Sequence, residues 1–348
     1  MSKVLKLAVV GVGRIGSFHA RHVAELAARG GSCRLAALVD PRPDLSEVGD
    51  RLGQIQGTVP KTFAALDALL AGEDVDAAII ASPTALHRLH AQTLIRAGCR
   101  VLVEKPLTEN IVEERAFAVQ LERDHPQALM LAFQRRFDEA LVYAKGLLDS
   151  GCIGRPFKYV SVLEDSSLMP EGYESPGLLQ DMSVHNVDEV LWLSGGEPAR
   201  VRATGARLYS HRISPVEEDF DDAQLDIAFE DESHARVQVS RNHVAGYRVE
   251  SWIYGEDGVI HAGRFMQRPS EVHVEAYGRS GVIAERSFST RDYGVSVPEF
   301  IGRFGDAYAA EVEVFVRCCR DGLSFPVHHG QGLAAMEVIA EGVASMPD

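Results

Sequence analysis

Short apolar runs at residues 5–10, 34–39, 77–81, 100–103 and 128–133 punctuate the first part of the chain. They are mostly Val, Ile, Leu and Ala without polar alternation, which suits strands buried on both faces of a parallel sheet. Between them the apolar positions recur at helical spacing. Residues 15–29 set Ile15, Phe18, His22, Val23 and Leu26 on one side, and 86–97 run up to the stop signal Gly98. Buried strand alternating with helix predicts an α/β, doubly wound parallel sheet.

The pattern changes beyond about residue 150. Residues 157–164 read as a strand and 177–193 as a helix. Ala223, Leu225, Ile227 and Phe229 alternate with polar residues, and the alternation resumes at Ala235, Val237 and Val239 after Glu230-Asp231-Glu232-Ser233. That is a hairpin in a sheet wet on one face. Residues 251–254 and 259–262 repeat the theme around Gly255-Glu256-Asp257-Gly258, and helical patterns at 299–321 and 331–346 close the chain. The second part is expected to be α+β with a large, mostly antiparallel open sheet. The domains divide as 1–133 and 134–348.

Composition narrows the partners. The 348 residues carry 35 Lys and Arg against 50 Asp and Glu, a formal net charge of −15. A field of that sign repels phosphodiester backbones and anionic membranes, so neither nucleic acid nor membrane is expected as a partner. No stretch reaches the roughly 18 consecutive apolar residues of a membrane span. Gly11 and Gly13 interrupt the first apolar run, and no signal-peptide cleavage site follows. The cysteines Cys33, Cys99, Cys152, Cys318 and Cys319 are odd in number and lack CxxC spacing, which points to reduced thiols in a cytoplasmic protein without a cysteine-built zinc site.

Leu7-Ala8-Val9-Val10-Gly11-Val12-Gly13-Arg14-Ile15-Gly16 is a strand running into G-x-G-x-x-G and then a helix. Gly11 permits the tight turn, Gly13 lets the backbone approach a pyrophosphate, and Gly16 allows close helix–strand packing. Free N–H groups at the helix start hold the phosphates. The second strand ends in Asp40, where an acidic residue accepts hydrogen bonds from the adenosine ribose hydroxyls. A carboxylate there repels a 2′-phosphate, so NAD is favoured over NADP, although Arg42 close by partly offsets the repulsion. Residues 1–133 therefore read as a dinucleotide-binding Rossmann domain.

After the fifth strand comes Val103-Glu104-Lys105-Pro106. Ligands of doubly wound sheets bind outside the carboxyl ends of the strands, which puts the Lys105 ammonium at the cleft mouth. In the second domain Asp181 and His185 have the i, i+4 spacing of one helix face, where a carboxylate can support a protonated imidazole. Either feature alone is commonplace: most lysines are exposed loop residues, and D-x-x-x-H arises often by chance.

Together with Ala81-Ser82-Pro83-Thr84-Ala85-Leu86-His87, Phe133-Gln134-Arg135-Arg136-Phe137-Asp138 and Asp181-Met182-Ser183-Val184-His185-Asn186-Val187-Asp188, these segments closely resemble the Gfo/Idh/MocA family of NAD(P)-dependent sugar and polyol oxidoreductases. Gly246-Tyr247, Tyr254-Gly255-Glu256-Asp257-Gly258 and Arg303-Phe304-Gly305-Asp306-Ala307-Tyr308 look like its inositol dehydrogenase branch. The resemblance runs in order over nearly the whole chain.

It implies roles residue by residue. Lys105 and His185 are the expected catalytic pair, with Asp181 in support. Glu104 lies near the nicotinamide ribose, and Ser82, Pro83, Thr84 and His87 line the cofactor's path beside Gly11, Val12, Gly13, Arg14, Ile15, Gly16, Asp40 and Arg42. Arg135 faces nicotinamide and substrate, while Tyr173 and Tyr247 line the substrate pocket. The Lys105–Pro106 bond is expected to be cis. Residues 134–348 bind substrate and build a homodimer or homotetramer through the open sheet, with the last helices packing back on the first domain. One departure concerns specificity: relatives on the inositol branch often carry Arg-Asp-Pro or Arg-Asn-Pro where this chain has Leu163-Glu164-Asp165-Ser166-Ser167.

The expected reaction is reversible oxidation of a secondary alcohol on a cyclic polyol or sugar. His185 removes the hydroxyl proton, Lys105 hydrogen-bonds the oxygen, and hydride passes to NAD without a metal. The zinc-dependent alternative lacks a Cys/His ligand set. A short-chain dehydrogenase needs Tyr-x-x-x-Lys, and Tyr143 and Lys145 have the wrong spacing. Two alternatives remain: an NAD-dependent glycosidase using transient oxidation, and a dinucleotide-sensing regulatory protein, which would not need Lys105 and His185. Other residues take plainer readings. His328-His329 reads as a solvated loop or helix cap, Cys318-Cys319 as packing thiols and His19 as a packing residue. Trp192 reads as core, and Glu217-Glu218-Asp219 with Asp221-Asp222 as a solvated loop.

Overall fold

The continuous apolar runs become central strands because both faces of a parallel sheet are covered by helices. β1 (Leu5–Val10), β2 (Cys33–Val39), β3 (Lys61–Phe63), β4 (Ala77–Ile80), β5 (Arg100–Glu104) and β6 (Leu129–Ala132) pair in parallel in the order β3-β2-β1-β4-β5-β6. The helices α1 (Arg14–Ala28), α2 (Leu45–Gln56), α3 (Leu66–Gly72), α4 (Thr84–Arg96) and α5 (Ile111–Asp124) connect them. The strand order reverses between β1 and β4, which opens the crevice where such sheets bind ligands. The sequence pattern does not mark β3, whose three residues lie at the sheet edge and stay largely exposed.

This computed structural model describes all residues except 1–3, 31, 166–176, 208–218, 242, 264–270, 295–296 and 347–348. The chain divides into two compact units, one of residues 1–133 with 308–333, the other of 134–307 with 334–348. Within the first unit Arg100 Nη1 donates to the Cys318 carbonyl at 2.6 Å, and its guanidinium lies 3.7 Å over the Phe325 ring.

The second unit is built on an eight-stranded sheet. Its strands are β7 (Pro156–Glu164), β8 (Pro198–Ala206), β9 (Asp222–Phe229), β10 (His234–Ser240), β11 (Arg248–Gly255), β12 (Gly258–Gly263), β13 (Glu271–Gly278) and β14 (Gly281–Ser289), in the order β14-β13-β12-β11-β7-β10-β9-β8. Only the β7–β10 pairing is parallel. The alternation read at residues 223–239 matches buried and exposed positions in β9 and β10. Edge strand β14 leaves most positions exposed, Val282 and Ile283 among them, so its apolar residues do not mark a buried face. β13 does carry such a face, in buried Val272, Val274 and Ala276. The remaining helices are α6 (Glu139–Asp149), α7 (Val184–Ser194), α8 (Glu299–Asp321) and α9 (His329–Ala344), the last two divided between the units.

Two local expectations change. The helix expected over 177–193 begins with a π-helical turn, Leu179–Ser183, before α7. Asp181 therefore lies in the π turn and His185 in the first turn of α7. Trp192 is half-buried rather than core, and the Arg136 guanidinium stands 6.0 Å from its ring.

Glu114 is fully buried in the first unit. Its Oε2 lies 3.1 Å from both the Thr108 backbone nitrogen and Thr108 Oγ1, and Thr108 Oγ1 lies 2.9 Å from the Asn110 carbonyl. Burial pushes the Glu114 carboxyl up to about 7 from 4.5. A protonated carboxyl completes the chain, donating to Thr108 Oγ1, which donates onward. Because the folded pKa exceeds the unfolded one, this contribution is fully present below about pH 4.5 and fades as the pH rises through about 7. The expected loss is on the order of 3 kcal/mol. Thermal melts at pH 5 and pH 8 should show Glu114→Gln gaining stability relative to wild type at the higher pH. A gap independent of pH would mean that Glu114 is ionised in the fold.

Candidate active site

The turn after β1 is shaped by what its glycines leave out. Gly11 has a φ of 84°, and a Cβ there would collide with the Ala81 and Ser82 backbone. A Cβ on Gly16 would collide with the Gly11 carbonyl, so α1 starts hard against the turn. At Gly13 a Cβ would meet nothing within 4 Å. The backbone is open on that side, where a pyrophosphate approaches. Gly13 is the N-cap of α1, which has no acidic residue in its first turn, so the helix end keeps its positive pole for an anion. Val12, Arg14 and Ile15 complete the turn, with Val12 buried.

Asp40, at the end of β2, accepts from the Val12 nitrogen at 2.7 Å through Oδ2 and from the Arg42 nitrogen at 3.0 Å through Oδ1. The carboxylate is thus fixed beside the glycine turn. Arg42 is already engaged. Its Nε and Nη2 form a bidentate pair with Asp44 at 2.6 and 2.8 Å, and its Nη1 donates to the Val12 carbonyl at 2.8 Å. The paired Asp44 side chain raises the Arg42 pKa, and Arg42 lowers that of Asp44. The offset expected of Arg42 against Asp40 therefore falls to Asp44 instead.

The β4–α4 turn supplies Ser82, Pro83 and Thr84, with Pro83 as the N-cap of α4. Ser82 Oγ lies 3.0 Å from His90 Nδ1. His87 is buried and reaches two carbonyl oxygens, Pro106 at 2.8 Å from Nδ1 and Ser82 at 2.7 Å from Nε2. Both acceptors lack a proton to give, so only the imidazolium can hold both, whereas burial lowers the His87 pKa. A neutral ring keeps one bond at a time. His87 thereby links the β4–α4 turn to the turn carrying Lys105, whose bond to Pro106 is cis. Lys105 itself is half-buried just beyond β5.

Glu104 is buried, with Oε1 2.7 Å from His19 Nε2. His19 packs edge-on against Tyr308, as a packing residue should. It also fixes the carboxylate next to Lys105, a function that nothing near residue 19 in the sequence signals.

The second unit presents His185 and Asp181. His185 is half-buried in the first turn of α7, and Asp181 lies in the π turn before it. Arg241, buried just past β10, approaches Asp181 Oδ2 with Nη2 at 3.4 Å. Asp219 accepts from the Leu178 nitrogen at 2.7 Å and so caps the start of this helical segment. Asp219 and Asp221 are both buried, which corrects their reading as a solvated loop; Glu217 and Glu218 lie outside the described residues.

Arg135 is fully buried, and its Nη1 donates to Glu189 Oε2 at 2.7 Å. Glu189 Oε1 accepts from Ser161 at 2.9 Å and Ser251 at 2.5 Å, two residues directly opposite each other in β7 and β11. Arg136 forms a bidentate pair with Asp188 at 2.6 and 2.9 Å. Successive acids of α7 thus bind successive arginines, which fixes the helix that carries His185.

Tyr247 precedes β11 and is half-buried, and burial raises its phenol pKa. Tyr173 lies outside the described residues. Glu164 ends β7 with Arg248 Nη1 at 3.1 Å, a guanidinium that offsets its charge, and with His243 Nε2 at 3.6 Å.

Residues 5–133 match a family described as "Oxidoreductase family, NAD-binding Rossmann fold", and residues 141–261 match its "GFO/IDH/MocA C-terminal domain". The chain is 28% identical to the inositol 2-dehydrogenase of Rhizobium meliloti, over 99% of this chain and 97% of the relative. It is 29% identical to the scyllo-inositol 2-dehydrogenase (NAD(+)) of Bacillus subtilis, over 92% and 88%. The structure of scyllo-inositol dehydrogenase from Lactobacillus casei with bound NAD(H) and scyllo-inositol superposes with a TM-score of 0.79 at 25% identity, covering 99% of this chain and 97% of that one. The two family matches together span most of the chain, from the glycine turn to the large sheet, and the chain belongs to the Gfo/Idh/MocA oxidoreductases.

Proposed function

We propose that this protein is an NAD-dependent dehydrogenase oxidising a secondary alcohol of a cyclic polyol or sugar, with an inositol as the first substrate class to test. The observation that carries the reading is the sequestration of Arg42 by Asp44 beside a glycine turn open at Gly13, in a chain that retains both Lys105 and His185. Relatives named as inositol dehydrogenases, matched over nearly their whole length, support the substrate class.

Bound NAD supplies the hydride acceptor. The chain's own residues handle the alcohol oxygen and its proton. His185 takes the hydroxyl proton as the general base. Asp181, steadied by Arg241, stabilises the imidazolium that forms. Lys105 hydrogen-bonds the same oxygen as it becomes a carbonyl. His87 and His19 act one step back, on the turn that carries Lys105 and on the neighbouring Glu104. Tyr247 lines the substrate pocket in this reading. The molecule assembles as a homodimer or homotetramer through the open face of the large sheet, where Trp252 stacks with Tyr254 and His261.

Lys105→Ala and His185→Ala are each expected to lose at least about a hundredfold in turnover while still binding NAD by fluorescence titration. Near-normal turnover in either variant would remove that residue from the mechanism. Asp40→Ala also frees the Val12 nitrogen, so the informative quantity is the ratio of NAD to NADP affinity. That ratio should fall, and an unchanged ratio would mean that another residue reads the ribose. NADH formation against inositols, aldoses, glycosides and linear polyols tests the substrate class. Net NADH from a free polyol supports the dehydrogenase. Sugar release from a glycoside without net NADH would instead favour the glycosidase chemistry available to the same lysine and histidine.

A further inference from the structure

The polar face of the large sheet carries two cross-strand rows. Trp252, His261, Glu275 and Glu285 lie side by side across β11, β12, β13 and β14; Glu250, Gly263, His273 and Ser287 form the next row. Where the rows meet, His273 Nε2 stands 3.1 Å from Glu275 Oε1 and 3.2 Å from Glu285 Oε1. The three ligand atoms all lie within 4.8 Å of one another. His273 Nδ1 is 2.9 Å from Ser287 Oγ, a contact that orients the ring and leaves Nε2 facing the carboxylates.

We propose that His273, Glu275 and Glu285 form a zinc(II) site on the sheet face that ties edge strand β14 to β13. Zinc takes imidazole nitrogen and carboxylate oxygen at roughly 2.0–2.2 Å in tetrahedral geometry, so its neighbouring ligand atoms stand roughly 3.3–3.5 Å apart. The His273 distances of 3.1 and 3.2 Å need only a small expansion to reach that spacing. A second observation points the same way. Gly263, the residue opposite His273, leaves a gap in the row, and His261 Nε2 lies 2.7 Å from where its Cβ would be. That nitrogen is buried and has no hydrogen-bond partner among the described residues. A second imidazole nitrogen is therefore aimed into the hollow beside His273. The buried thiols compete poorly, since burial raises the pKa of Cys33 and Cys99 to about 11 and that of Cys319 to about 12. The site is separate from the proposed alcohol oxidation.

The test uses the full chain, stripped with a chelator and titrated with zinc against a chromophoric indicator. Wild type is compared with His273→Gln and Glu285→Gln, whose substitutions lie on different strands. The expected result is one zinc more in wild type than in either variant, or at least about a tenfold weakening in both. Saturating zinc should also raise the melting temperature of wild type by a few degrees, and of the variants by less. Equal uptake and affinity in wild type and either variant would overturn the site. A melting temperature unmoved by zinc in wild type would overturn its role in tying β14 to β13.

Discussion

A buried arginine fixes the second unit. Arg135 is fully enclosed, and a guanidinium in that position requires a carboxylate. Glu189 supplies it from α7 and shares its other oxygen between Ser161 and Ser251 of the sheet. Asn186 donates to the same Ser161 hydroxyl at 2.8 Å. Removing either Arg135 or Glu189 leaves an uncompensated buried charge, a loss of about 3–5 kcal/mol. Arg136 and Asp188 repeat the pairing one residue on. The position of His185 is therefore inherited from charges buried deeper in the same helix.

The dinucleotide turn is constrained by exclusion rather than attraction. Gly11 and Gly16 are dictated by backbone approaching backbone, while Gly13 faces open space. Asp40 and Arg42 then brace the turn from β2, one through the Val12 nitrogen and the other through the Val12 carbonyl. Because Asp44 holds the Arg42 guanidinium, the charge presented beside the turn is that of Asp40.

Several residues with plain readings in the sequence become part of the machinery's support. His19 holds Glu104, His87 joins two turns at the strand ends, and Asp219 caps the segment leading to Asp181. Each depends on a partner distant in the chain, so no local pattern announces it. Arg135 was legible as part of a motif, but its depth was not. A motif fixes residue type and spacing, while burial depends on what the rest of the fold places over it.

The sequence by itself determined the parallel sheet, the wet-faced antiparallel sheet, the glycine turn with Asp40 and the placement of Lys105 at a strand end. These follow from local signals: the period of apolar positions and the steric demands of a turn. The tertiary structure decided that Asp181 lies in a π turn ahead of α7, that Arg42 belongs to Asp44, and that His273, Glu275 and Glu285 converge across two strands. Strand register and charge pairing bring together groups far apart in sequence, and the energy of a charge depends on which of them surround it.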